Sequence, residues 1–175
     1  MKHTNKLTLE KETQLSAFEQ HYGYDASYLR HVLKTSPNAY DAFEHFKKMA
    51  AFRQNLSVDD YYVIAIATMQ AEDCGSCLQL NVKMAIEAGV SQEIVQAALG
   101  RSQPGYDRVQ TLRDYAIAVA SNLPCEHLES TVRKYLGETG LVELALCVAS
   151  NRVYPCLKRA LGYASEACEM IGIEA

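Results

Sequence analysis

Residues 63–94 read VIAIATMQAEDCGSCLQLNVKMAIEAGVSQEI, and this stretch decides the fold. Its first part is apolar on most sides of a helix, which predicts a helix buried among others. A short break at Glu72-Asp73 separates it from a second helix, which we place from Cys74 to Ala88. Gly89 follows, the residue type that commonly ends a helix. The stretch therefore predicts two helices joined by a turn, with two cysteines at the start of the second.

The rest of the chain also reads as helices. Pro and Gly are few, 4 and 9 in 175 residues, and most stand where helices should end. No useful length alternates with period two, so we expect no sheet. We predict one all-α domain over residues 1–175, with residues 1–10 as a loose arm. The helices are predicted at about 12–21, 26–33, 37–50, 58–71, 74–88, 92–99, 106–121 and 128–136, with a last one from 141 onward that Pro155 should kink.

Composition and charge exclude several classes of function. The net charge is −4 and no basic stripe stands out, which argues against nucleic acid as a partner. The apolar runs are too short to span a membrane, and the N-terminus is polar where a signal peptide would be apolar. We therefore expect a cytoplasmic protein. In a reducing cytosol, six cysteines indicate metal binding, redox chemistry or simple burial.

Cys74 and Cys77 form a C-x-x-C motif at the predicted start of a helix. Residues three apart are neighbours on one helical face. Unpaired N–H groups at a helix N-terminus stabilise a thiolate, the attacking form of cysteine. The second cysteine is close enough to resolve a mixed disulfide or a sulfenic acid. The acidic side chains of Glu72 and Asp73 oppose thiolate formation unless one of them accepts the thiol proton as a general base. The motif predicts a redox-active dithiol.

Other interpretations of the cysteines stay open to different degrees. A structural zinc site usually needs four ligands, and here there is no second pair and no nearby histidine. The histidines show no metal-binding spacing either, so we predict no metal and no cofactor. A thioredoxin-like fold is excluded because its motif needs a βαβ context. Two buried cysteines at this spacing by chance remain possible. We interpret the other four as ordinary thiols, which are Cys125, Cys147, Cys156 and Cys168.

The order of these features resembles the alkylhydroperoxidase AhpD / carboxymuconolactone decarboxylase family. The shared features are a buried helix, a break, a C-x-x-C that opens a second helix, and then the run from Gly89 to Ile94, GVSQEI. The resemblance covers roughly Leu15 to Ala164. It implies an AhpD-like helical bundle that assembles into a homo-oligomer, a dimer, trimer or hexamer. It also implies an enzyme in which Cys77 attacks a hydroperoxide or disulfide substrate, Cys74 resolves the product, and an external thiol reductant resets the pair.

Two positions depart from the family pattern. Redox members of the family relay the proton through a Glu upstream of the motif and a His four residues after the second cysteine. This chain has Tyr62 and Asn81 there. Asn81 can form a hydrogen bond beside Cys77 but cannot titrate, and a phenol of pKa about 10 is a poor base. The candidate catalytic residues are therefore Cys74, Cys77, Asn81 and Glu72. The alternative is a non-peroxidase oligomeric protein of the same fold that binds a partner or senses oxidation.

Overall fold

The structure is a computed structural model that describes residues 2–101 and 104–164, with side chains from residue 8. The described residues form helices and no strand, so the all-α prediction is confirmed. The helices are α1 (Lys2–Tyr22), α2 (Ser27–Thr35), α3 (Pro37–Ala50), α4 (Val58–Ala71), α5 (Gly75–Glu87), α6 (Gln92–Ala98), α7 (Asp107–Ala120) and α8 (Glu126–Ala160).

Serine caps fix where three of the helices begin. The side chain of each serine accepts a hydrogen bond from the backbone N–H three residues further on, which satisfies a donor that the helix leaves unpaired. The three residues are Ser36, Ser57 and Ser91. Pro37 occupies the first turn of α3, where its missing N–H costs least. These boundaries agree with those predicted from the sequence.

Helix α1 is longer than predicted. It begins at Lys2, so the segment that we expected to be a loose arm, residues 1–10, is helical from residue 2. The physical reason is that no Gly or Pro precedes Gly23, so nothing in the sequence interrupts the helix. Gly23 has a φ of 62° and ends the helix, as a residue without a Cβ can do at little cost.

Helix α8 joins two predicted helices. Its backbone leaves helical values at Gly137, with a φ of 68° and a ψ of −179°, which lies between the segments predicted to end at 136 and to begin at 141. Pro155 lies inside α8, and the helix continues past it to Ala160. The interruption of this long element is therefore at the glycine.

Two groups of buried side chains hold the helices together. The first surrounds α4, which is buried over most of its length, as predicted, and packs against helices α5 to α8. The second is rich in aromatic rings and is built mainly by α1, α2 and α3. Helix α5 lies between them, because Leu78 packs against the first group and Leu80 against the second. The two cysteines are therefore placed where the two groups meet. Across the described ranges, no helix has the length and apolarity needed to cross a bilayer.

Candidate functional site: a dithiol at the start of a helix

The turn between α4 and α5 brings the two cysteines together. Asp73 adopts a left-handed conformation with a φ of 49°, which reverses the chain after α4. Cys74 is the N-cap residue of α5 and Cys77 lies in its first turn. The two sulfur atoms are at bonding distance and form a disulfide, with the Cα atoms 5.3 Å apart. The structure thus contains the pair in its oxidised form.

The two sulfurs differ in their access to solvent. Cys74 is half-buried, whereas Cys77 is only 2% exposed. Thiol–disulfide exchange requires that the attacking thiolate approach one sulfur while the other leaves. Cys74 is therefore the sulfur that solvent and an external thiol could reach more easily. The sulfur of Cys77 lies in the first turn of α5, where helix N–H groups favour a negative charge.

A buried phenol faces the inner cysteine. The hydroxyl of Tyr24 lies 3.9 Å from Cys77 Sγ and 3.3 Å from the hydroxyl of Tyr28. Burial raises the pKa of Tyr24 to about 12, so this phenol stays neutral. In the disulfide form its single proton is donated to the Tyr28 hydroxyl, and a rotation of that O–H bond would direct it to a Cys77 thiolate. Sequence reasoning missed this residue. Tyr24 is 53 residues before Cys77, and no local pattern connects the two positions.

A buried lysine of α8 completes the surroundings of the pair. Lys158 is 5% exposed, and its ammonium donates a hydrogen bond of 2.8 Å to Ser76 Oγ. It also lies 4.5 Å from the ring centre of Tyr24 and 5.3 Å from that of Tyr28. Ser76 Oγ is in turn 3.9 Å from Cys74 Sγ. Burial lowers the pKa of Lys158, and the more distant charge of Asp25 partly opposes this effect. Lys158 was also missed from the sequence.

Glu72, the candidate general base, is held by two arginines of α8. One carboxylate oxygen accepts a hydrogen bond of 2.6 Å from Arg152 Nε, and the other is bonded by Arg159. Arg159 also donates to the backbone oxygen of Glu72, over 2.8 Å. These contacts tie α8 to the residue at which α4 ends. A role for Glu72 in proton transfer stays a prediction.

Asn81 and Tyr62 both lie on the helices that flank the turn. The side-chain amide of Asn81 donates 2.9 Å to the backbone oxygen of Cys77, one turn earlier in α5. Tyr62 is partly buried and packs its ring against Tyr61, with ring centres 5.2 Å apart. Burial raises the pKa of Tyr62, which makes the phenol a weaker acid still. In the oxidised structure, Asn81 therefore supports the helix backbone next to the motif.

The other thiols that the structure describes have no comparable setting. Cys147 is buried, and that burial raises its pKa to about 12, against the hydrogen bond from Asn151, so it is an unreactive core thiol. Cys125 is half-buried and Cys156 is exposed. Cys168 lies outside the described residues. Within the parts of the chain that the structure describes, no group of three or more His, Cys, Asp or Glu side chains could hold a metal ion.

These features define a class, an all-helical protein with a dithiol at the start of a helix. The model of the carboxymuconolactone decarboxylase family matches residues 37–122, which extend from α3 through α7 and include both cysteines. Over this segment the chain is similar to that family, and the resemblance seen in the sequence is confirmed. The match is shorter than the range Leu15 to Ala164 over which the sequence resembles the family. Tyr24 and Lys158 lie outside the matched residues. No curated protein matches the chain significantly.

Proposed function

We propose that this protein is a thiol-dependent oxidoreductase of the alkylhydroperoxidase type, in which Cys74 and Cys77 cycle between dithiol and disulfide. Its substrates would be small hydroperoxides or disulfides, and an external thiol would be the reductant. One observation carries the proposal: the sulfurs are at bonding distance at the start of α5, with one accessible and the other buried beside a phenol. The similarity to the family is compatible with this activity.

In the oxidative half of the cycle, the Cys77 thiolate attacks the outer oxygen of the hydroperoxide. The O–O bond breaks, Cys77 becomes a sulfenic acid, and the alkoxide leaves as an alcohol after taking up the proton that the Cys77 thiol had lost. Cys74 then attacks the sulfenic sulfur. The S–S bond forms, and hydroxide leaves as water with the proton of Cys74. The peroxide gains two electrons, and the two cysteines lose them.

In the reductive half, a thiolate of the reductant attacks Cys74, the accessible sulfur. The bond between the cysteines breaks, and Cys77 leaves as a thiolate beside the Tyr24 hydroxyl. A second thiol of the reductant then attacks the mixed disulfide and releases Cys74. With a disulfide substrate, the same steps run in the opposite direction, so that Cys74 attacks and Cys77 resolves, in place of the attack by Cys77 that the family resemblance implies.

A second candidate is a redox-sensing or binding protein of the same fold. It is favoured by the residues at the two relay positions, because neither Asn81 nor Tyr62 can exchange a proton readily near neutral pH. In such a protein the cysteine pair would be oxidised in a single event and would stay a disulfide until a reductant acts, without fast turnover. Both candidate functions include assembly into a homo-oligomer, which the family resemblance implies. Light scattering of the purified protein measures the mass of the assembly and tests this proposal.

The test compares wild type with Cys77→Ser and Cys74→Ser. We expect peroxide to consume wild-type thiols faster than a free cysteine, with loss of this reaction in Cys77→Ser. Cys74→Ser should stop at a trapped sulfenic acid. If Cys77 reacts no faster than free cysteine, the peroxidase activity is excluded. If mild oxidants never link the two cysteines, as read by mass spectrometry, both redox candidates fail.

A further inference from the structure

We propose that Lys158 is the counter-ion of the reduced dithiol, a buried ammonium that stabilises a thiolate at the pair through Ser76 and Tyr24. This inference rests on the proposed redox cycle. It gives Lys158 the role of a positioning residue, which acts on the sulfurs through its neighbours. It concerns a part of the chain beyond the matched family segment.

The first step is that, among residues 8–101 and 104–164, no carboxylate lies within ion-pair distance of Lys158 in the oxidised structure. Buried charges in proteins are normally paired, because an isolated ion loses its hydration. The described carboxylates of Asp60 and Glu72 follow this rule, since each is bonded to arginine. Lys158 instead contacts one hydroxyl and two ring faces, and the described ion pairs include none to it. Among the described acidic residues, Asp25 interacts with Lys158 through its charge, without forming an ion pair with it.

The second step is the direction in which the contacts of Lys158 lead. Ser76 stands inside the C-x-x-C motif and joins the ammonium to Cys74, over 2.8 Å and then 3.9 Å. The ring of Tyr24 joins the same ammonium to Cys77. A cation over a phenol ring withdraws electron density and makes the hydroxyl a better hydrogen-bond donor. Both sulfurs are thus linked to one positive charge.

The third step is the charge balance of reduction. A disulfide and a dithiol reductant yield the oxidised reductant, one cysteine thiol, one cysteine thiolate and one proton released to solvent. Two electrons move to the pair, and the site gains one negative charge. That thiolate supplies an anion close to Lys158, which the described residues do not provide in the disulfide form. The reduced state is therefore favoured, which makes the disulfide easier to reduce and lowers the pKa of the thiol.

The charged and titratable groups around Lys158 are consistent with this assignment. Tyr24 and Tyr28 are neutral phenols whose pKa values burial raises, so neither supplies a negative charge. Asp25, before α2, is engaged by the backbone N–H of Ser27. On α8 itself, Arg152 and Arg159 are bonded to Glu72.

The experiment replaces the charge and measures the thiols. In Lys158→Met, we expect alkylation of the reduced pair at neutral pH to slow by about tenfold. The reason is that a rise of about one unit in the pKa of the reactive thiol lowers its thiolate fraction about tenfold. Equilibration with glutathione buffers should show that the reduction potential of the Cys74–Cys77 pair becomes more negative. Lys158→Arg keeps the charge and should restore both values toward wild type. Lys134→Met, an exposed lysine of the same helix, is the matched control and should change neither.

Ser76→Ala provides a second variant that leaves the buried ammonium in place. It removes the hydroxyl between Lys158 and Cys74, and it should shift alkylation in the same direction as Lys158→Met. This variant decides the question if Lys158→Met does not fold. Wild-type alkylation profiles in both variants, with a pair that still cycles, would overturn the counter-ion and leave the proposed function intact. A wild-type pair that never forms a reversible disulfide would overturn both.

Discussion

The hydroxyl of Tyr24 lies 3.9 Å from Cys77 Sγ in the disulfide, a separation that should shorten once the sulfur carries a charge. We expect Tyr24→Phe to slow cleavage of the disulfide by an external thiol by at least about tenfold, since a hydrogen bond to a charged group is worth about 1.5–3 kcal/mol. The rate of thiol exchange measures the effect. Tyr135→Phe keeps a ring stacked on Arg108 and serves as control. Equal rates for Tyr24→Phe and wild type would remove Tyr24 from the mechanism.

Glu143 is a buried carboxylate with a structural task. It is 2% exposed and accepts the backbone N–H groups of Gln54, Asn55 and Leu56, as well as the Asn55 side-chain amide. It thereby holds the loop before α4 against α8. Burial raises the pKa of Glu143, but the hydrogen bonds from Leu56, Asn55 and Gln54 together outweigh burial and lower the pKa to about 2.

Because the pKa is lower in the folded state, Glu143 stabilises the fold fully above its ordinary value of 4.5, and this contribution is lost as the pH falls toward 2. We expect Glu143→Gln to reduce the free energy of unfolding by about 2–3 kcal/mol at neutral pH. The difference in the free energy of unfolding between Glu143→Gln and wild type should shrink as the pH falls from 4.5 toward 2. Urea titrations at several pH values test it, with Glu138→Gln, an exposed residue of α8, as control. A difference that does not depend on pH would contradict this account.

At the scale of elements, α8 connects the site to the rest of the fold. Its C-terminal part supplies Arg152 and Arg159 to Glu72, and Lys158 to Ser76. The break at Gly137 separates that part from the N-terminal part of α8, with a backbone conformation that residues with a Cβ rarely adopt.

Gly137→Ala should therefore be destabilising through the backbone alone, because an added Cβ would meet no atom within 4 Å. We expect a loss of about 1–3 kcal/mol in the free energy of unfolding. Chemical denaturation measures it, with the exposed Thr139→Ala as control. An unchanged stability would mean that the chain accommodates a side chain at this break.

Helix boundaries show how far local patterns reach. The serine caps and the glycines that follow helices were predicted correctly, because capping and positive φ values depend on a few neighbouring residues. The start of α1 was wrong, because a polar segment with no breaker is equally compatible with a loose arm and with a helix. Pattern alone does not choose between these two states.

At the scale of the whole molecule, the disulfide spans three positions and closes a very short loop. A small loop restricts the unfolded chain little, so reduction should lower the free energy of unfolding by no more than about 2 kcal/mol. We expect the reduced protein to keep its helical circular dichroism, as a protein that works in both states must. A Cys74→Ser, Cys77→Ser double variant should not respond to reductant. Unfolding of the wild type on reduction would mark the disulfide as structural and contradict the redox cycle.

The sequence by itself determined the helical class, the order of the main helices and the dithiol at the start of α5, because each depends on residues close together along the chain. It also led to the family, whose signature lies within residues 37–122. Only the tertiary structure decided what surrounds the sulfurs. Tyr24, Lys158 and the two arginines on Glu72 come from positions 50 to 90 residues away from their partners. Such contacts arise from the packing of the α1–α2 connection and of α8 against the α4–α5 turn, and no local periodicity encodes them.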